Sequence, residues 1–188
     1  MQKSGFISII GRPNAGKSTL LNHLLGMQLS IVTPKAQTTR ERVLGILTEA
    51  ESQIVFVDTP GIHRAREGGL NQYMVNEAKE ALEAPHLIWY LVDPNSAVDY
   101  ELTVLELLEK SSAPVFLVMN KADTLRNEIL KKNAKKLESD LLAEMQKRNI
   151  QAQGAFSISA LQKAGTQELL TRLKLLECPR RVLSRGRL

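Results

Sequence analysis

The chain has a single cysteine, Cys178, so it can form no internal disulfide, and a reducing compartment is the natural setting. It also lacks a long apolar run. The longest unbroken one, residues 87–92, is too short to cross a bilayer. The first ten residues carry one lysine and only a brief apolar stretch. They lack the extended apolar region and small-residue cleavage site of a secretion signal, and they read better as a first strand. There is no internal repeat and no low-complexity segment. With 43% apolar and 24% charged residues, the 188-residue chain is far from the disordered class and suits one domain with one core. These absences together point to a soluble cytoplasmic protein.

The net charge of +5 suggests a nucleic-acid partner, but most of it is confined to one end. The last nine residues contain Arg180, Arg181, Arg185 and Arg187 and no acid, and without those four arginines the charge falls to +1. The body is therefore nearly neutral. The basic stretch 177–188 is expected to be a tail, suited to weak contact with RNA or an anionic membrane face, or simply solvated.

Strand and helix signals alternate. Expected strands are 6–10, 42–48, 53–57, 88–92, 115–119 and the shorter 156–158. Expected helices are 17–25, 71–83, 100–110, 127–147 and 165–176. Strands 42–48 and 53–57 read as an antiparallel pair joined near residues 49–52. The compact apolar runs at 88–92 and 115–119, with 156–158 as a shorter run of the same sort, suit parallel strands buried on both faces. The expectation is an α/β domain over residues 1–176, a P-loop nucleotide-binding fold. Its six-stranded sheet is mostly parallel, with one antiparallel strand and helices on both faces. Ligands of such sheets sit beyond the carboxyl ends of the strands.

The loop after the first strand is Gly11, Arg12, Pro13, Asn14, Ala15, Gly16, Lys17, Ser18, followed by Thr19, a full match to G-x-x-x-x-G-K-[ST] between a strand and a helix. The glycines let backbone N–H groups converge on phosphates, and the helix N-terminus adds its positive end. Lys17 places a charge on the β- and γ-phosphates, and the Ser18 hydroxyl can ligate Mg²⁺. The third strand ends in Asp58, Thr59, Pro60 and Gly61. The carboxylate of Asp58 can hold Mg²⁺ through water, and the Gly61 N–H can sense a γ-phosphate. After strand 115–119 come Asn120, Lys121, Ala122 and Asp123. A carboxylate at 123 can accept from both the N1–H and the 2-amino group of guanine. Adenine lacks that pair, so an ATPase is disfavoured. Ser159 and the Ala160 N–H are expected at the guanine O6. Between these motifs lies 35–40, where Thr39, or Thr38 as second choice, can complete the Mg²⁺ shell when GTP is bound.

With five motifs in order, residues 5–176 resemble the translation-factor class of small GTPases, and more narrowly the Era family within the TrmE–Era–EngA-like group. The closest likeness runs through 11–25, 31–46 and 58–63. The resemblance implies a bacterial GTPase that binds GTP, GDP and Mg²⁺ as a monomer and assists maturation of the 30S ribosomal subunit through 16S rRNA, largely by a C-terminal KH domain. No KH domain and no G-x-x-G loop follows residue 176 in these 188 residues, which reads as a chain cut to its G domain or a truncated or frame-shifted product. Where Ras-type enzymes carry a water-orienting glutamine, this chain has Ile62. In some similar GTPases with an apolar residue there, a P-loop asparagine helps hold potassium, and Asn14 matches it. The expected catalytic set is Lys17, Thr39, Gly61 and Asn14, with slow intrinsic turnover. His63 is not favoured as a base, and Arg40 and Arg64 are not well placed as charge stabilisers. A second reading is a nucleotide-binding module with negligible turnover.

Overall fold

The computed structural model describes residues 3–27, 43–48, 52–60, 62 and 85–175. The expected helix 71–83, the connection near 49–51, the threonine loop, Gly61, His63, Arg64 and the basic stretch 177–188 lie outside them.

Six strands form one sheet: β1 (Lys3–Gly11), β2 (Val43–Thr48), β3 (Ser52–Asp58), β4 (Leu87–Val92), β5 (Val115–Met119) and β6 (Ala152–Ser157). Their order is β2-β3-β1-β4-β5-β6, and all neighbours are parallel except β2 and β3. Four helices are described: α1 (Lys17–Leu25), α2 (Val98–Leu108), α3 (Glu128–Lys147) and α4 (Thr166–Leu175). Strands β4 and β5 are buried at every residue. Their side chains alternate between two cores. Ile88, Tyr90, Val92, Val115, Leu117 and Met119 pack against Val104, Leu108, Leu137 and Leu141 of α2 and α3. Leu87, Trp89, Leu91, Phe116 and Val118 pack against Leu20, Leu21, Leu169 and Leu173 of α1 and α4. Both faces are thus covered, as continuous apolar strands require. Full burial of each such side chain is worth roughly 1.5–3 kcal/mol.

Several boundaries differ from expectation, three of them instructively. The sixth strand does not run 156–158; it starts at Ala152 and ends at Ser157. As an edge strand it needs little burial and stays largely exposed. A register shift pairs Val115 with Ala152 but Phe116 with Gly154, which leaves Gln153 over as a bulge and disguises the alternation. Ile158 is fully buried, but in the loop that leaves the sheet. Helix α2 starts at Val98 rather than 100, with Asp99 and Glu101 in its first turn, where acids favour the helix dipole. In α3, Asn127 is the cap and not a helical residue: its Oδ1 accepts from the Leu130 N–H at 2.9 Å.

Candidate functional site

The loop 11–18 leaves β1 where that strand lies between β3 and β4, at the carboxyl edge of the sheet. Gly11 pairs with Leu91, and a Cβ there would lie 2.3 Å from the Leu91 carbonyl oxygen, so only glycine lets the strands close at the point where the loop departs. Gly16 caps α1 with φ of 96°, and a Cβ on it would meet Asn120 Nδ2 at 2.1 Å. No side chain caps α1, and its first turn holds no acid. Its leading N–H groups therefore suit an external anion. Asn14 adopts φ of 62° and is exposed, Arg12 and Pro13 are half-buried, and Ala15 is buried.

Lys17 folds back over this loop. Its ammonium donates to the Gly11 carbonyl at 3.1 Å and the Arg12 carbonyl at 3.0 Å. Burial pushes its pKa down to about 8, and the charges of Asp58 and Glu101 oppose the drop. The Ser18 hydroxyl donates to Asp58 Oδ2 at 2.7 Å, and Asp58 is fully buried. A hydroxyl beside a buried carboxylate is an oxygen set that suits Mg²⁺, which needs only one or two protein ligands when phosphates and water complete its shell. No group of three His, Cys, Asp or Glu that could hold a metal ion is found among the described residues. Thr19, half-buried, follows on α1. Thr59 is turned inward, its hydroxyl donating to the Ile9 carbonyl at 2.9 Å, and Pro60 is buried beside it. Thr38, Thr39 and Gly61 lie outside the described residues.

The second half of the site is braced by Asn120, which is 2% exposed. Its Nδ2 donates to the Ala15 carbonyl at 2.8 Å and its Oδ1 accepts the Ala160 N–H at 2.9 Å, so one side chain ties three loops together. The Ala160 N–H, expected at a guanine O6, thus already has a partner inside the protein. Ser159 has one too: its hydroxyl donates to Asp123 Oδ1 and accepts from the Gln162 N–H. Lys121, in left-handed geometry, reaches Asp93 at 2.8 Å. Burial raises the Asp93 pKa, but the Lys121 hydrogen bond and charge, with bonds from Asn95, hold it below the usual range.

A profile of the family described as 50S ribosome-binding GTPases matches residues 6–121. The chain belongs to this family. Its relatives are of the Era type, as the motifs implied. The GTPase Era of Clostridium acetobutylicum is 51% identical over 131 residues, which is 69% of this chain and 44% of that protein. Among solved structures, an Aquifex aeolicus Era variant bound to GDP and aluminium fluoride superposes with a TM-score of 0.80 at 36% identity. An Era in complex with MgGDPNP and a 16S ribosomal RNA fragment superposes with a TM-score of 0.78, also at 36% identity. Each covers 92% of this chain and 56% of the other. The chain thus spans less than half the length of the curated relative.

Several residues around the family site were not legible in the motifs: Asp93, Tyr90, Ser96, Tyr100 and Glu101. The available signal was an acid, Glu101, set on the apolar face of α2 three residues after Val98 and three, four and seven before Val104, Leu105 and Leu108. Ile62 is also informative. Its side chain is 2% exposed within the core beside α2, and its N–H donates to the Gly11 carbonyl at 3.1 Å.

Proposed function

We propose that this chain is a GTP-binding switch that hydrolyses GTP to GDP and phosphate, with residues 1–176 forming the nucleotide unit and 177–188 a basic stretch beyond it. The observation that carries the reading is the cradle itself: an uncapped α1 N-terminus, Lys17 across the loop, and Ser18 bonded to a buried Asp58. Lys17 and the N–H groups of Asn14 to Thr19 would hold the phosphates. Ser18 and Asp58, with Thr39 from the threonine loop, would hold Mg²⁺, which supplies charge neutralisation between the β- and γ-phosphates. Asp123, aimed by Ser159, would read the guanine edge, and the Lys121 stem would flank it. Gly61 would carry the γ-phosphate contact. Catalysis in such a site is positioning and electrostatics, so intrinsic turnover is slow.

With Ile62 buried, the position that follows Gly61 offers no side-chain group to orient water. The exposed Asn14 at φ 62° is the residue we assign to a potassium ion near the phosphates. The same burial of Ile62 favours a second reading, a module that binds GDP and GTP but turns over negligibly. Multiple-turnover phosphate release from Mg²⁺–GTP, in potassium and in sodium buffer, separates the two. Faster release in potassium is expected. Equal rates remove the potassium role, and no release with tight GDP binding leaves the binding module.

By likeness to the solved Era–16S rRNA complex, the 30S subunit and its 16S rRNA are the partners we assign, in a bacterial cytoplasm and with the chain a monomer. The basic stretch 177–188 also suits weak contact with an anionic membrane face. Among the described residues no helix is long and apolar enough to cross a membrane.

A further inference from the structure

Three charged side chains are buried among the described residues: Lys17, Asp58 and Glu101. The first two belong to the cradle; Glu101, 1% exposed, has no part in the reading above. A buried carboxylate costs several kcal/mol unless its lone pairs are met, so its partners are informative. Its Oε2 accepts from the Tyr90 hydroxyl at 2.9 Å and its Oε1 from the Ser96 hydroxyl at 2.7 Å, so both oxygens have a partner. Glu101 also borders a cavity of about 250 Å³ that Arg12, Pro13, Asn14 and Ala15 of the phosphate loop line as well. Across it, the Arg12 guanidinium sits 5.1 Å from the centre of the Tyr100 ring, one residue before Glu101. Burial raises the Glu101 pKa above the usual carboxylate range; the hydrogen bonds from Ser96 and Tyr90, and after them the Arg12 charge, oppose that rise without cancelling it.

We propose that Glu101 is a positioning residue for the phosphate cradle: pinned by Tyr90 and Ser96, it faces Arg12 across the shared cavity, and its charge thereby steadies loop 11–18 against the β4–α2 connection. The loop is then backed from behind, so its inner N–H groups stay aimed at a diphosphate. This deepens the nucleotide reading and rests on it. A stabilising role alone is a poor account of the charge, because buried ions are often replaced by apolar residues without loss of stability.

The test measures GDP affinity, GDP dissociation rate and the GDP-induced rise in Tm for the full chain and its variants. Glu101→Gln, which keeps the shape and removes the charge, is expected to weaken GDP binding about tenfold and to shrink the Tm increment. Glu101→Asp should recover binding to within about threefold of the parent. Tyr90→Phe, which removes a donor but leaves the charge, should lower the nucleotide-free Tm while GDP affinity stays within about twofold. Arg12→Met is a second variant, on the other wall of the same cavity, with the same expected loss as Glu101→Gln, should the latter fail to fold. Unchanged GDP affinity in Glu101→Gln or Arg12→Met, with only the nucleotide-free Tm lowered, overturns the proposal alone. Failure of the parent chain to bind GDP overturns the nucleotide reading and the proposal with it.

Discussion

Replacing Gly16 by alanine should disable the domain through one neighbour, Asn120. At φ of 96° an L residue is strained, at a cost of about 1–3 kcal/mol. The added methyl would also sit 2.1 Å from Asn120 Nδ2 and drive that side chain away. Its bonds to the Ala15 carbonyl and from the Ala160 N–H would then break, which leaves two buried backbone groups unpaired at about 1–3 kcal/mol each. The unfolded chain loses about 0.4–1 kcal/mol of conformational freedom, a small offset. The sum is on the order of 2–8 kcal/mol, a large share of a typical domain's stability. Urea unfolding without nucleotide measures it directly. A cycle with Asn120→Ala isolates the mechanism, since in that background the clash has no target and the second substitution should cost only the backbone strain, about 1–3 kcal/mol. Additive costs in the cycle, or a Gly16→Ala loss below about 1 kcal/mol, would refute the coupling.

Lys17 makes the nucleotide-free domain more stable as the pH rises. Its folded pKa of about 8 lies below the unfolded 10.5, so between those values the unfolded chain binds more protons and rising pH favours the folded state. The gain is on the order of 3 kcal/mol across that window and should vanish in Lys17→Met, as a comparison of denaturation at pH 7.5 and pH 10 would reveal. Asp58→Asn should abolish the difference in GDP affinity between Mg²⁺ and EDTA buffers, read by competition binding. Asp123→Ala should erase the preference for GDP over ADP, and Ser159→Ala, which frees the carboxylate to turn, should weaken that preference by about 1–2 kcal/mol.

What the sequence made legible follows from how each element is buried. Strand β5 matched at both ends because it is buried on both faces and stops at Asn120, whose side chain is already committed to other loops. Helix α1 matched because glycines bracket it, Gly16 before and Gly26 after, both in left-handed geometry. β6 was misplaced because an edge strand with a bulge carries no clean apolar period. The motifs gave the nucleotide-facing residues but not the supports behind them. Ser159 and Asn120 look like ligands in one dimension, yet much of their bonding capacity is spent on Asp123, Ala15 and Ala160. Glu101 was hidden because helix periodicity flags an apolar face and is silent on a single acid within it.

The most direct measurement is competition of GDP and ADP against a fluorescent GDP analogue bound to the chain in Mg²⁺ buffer. A site that reads guanine through the half-buried Asp123 should let GDP displace the analogue while ADP fails at about a thousandfold higher concentration, since a site built to pair with a base's N–H groups strongly rejects a base that lacks them. Equal displacement by the two nucleotides, or no binding of the analogue at all, would contradict the assignment of this cradle to guanine nucleotides.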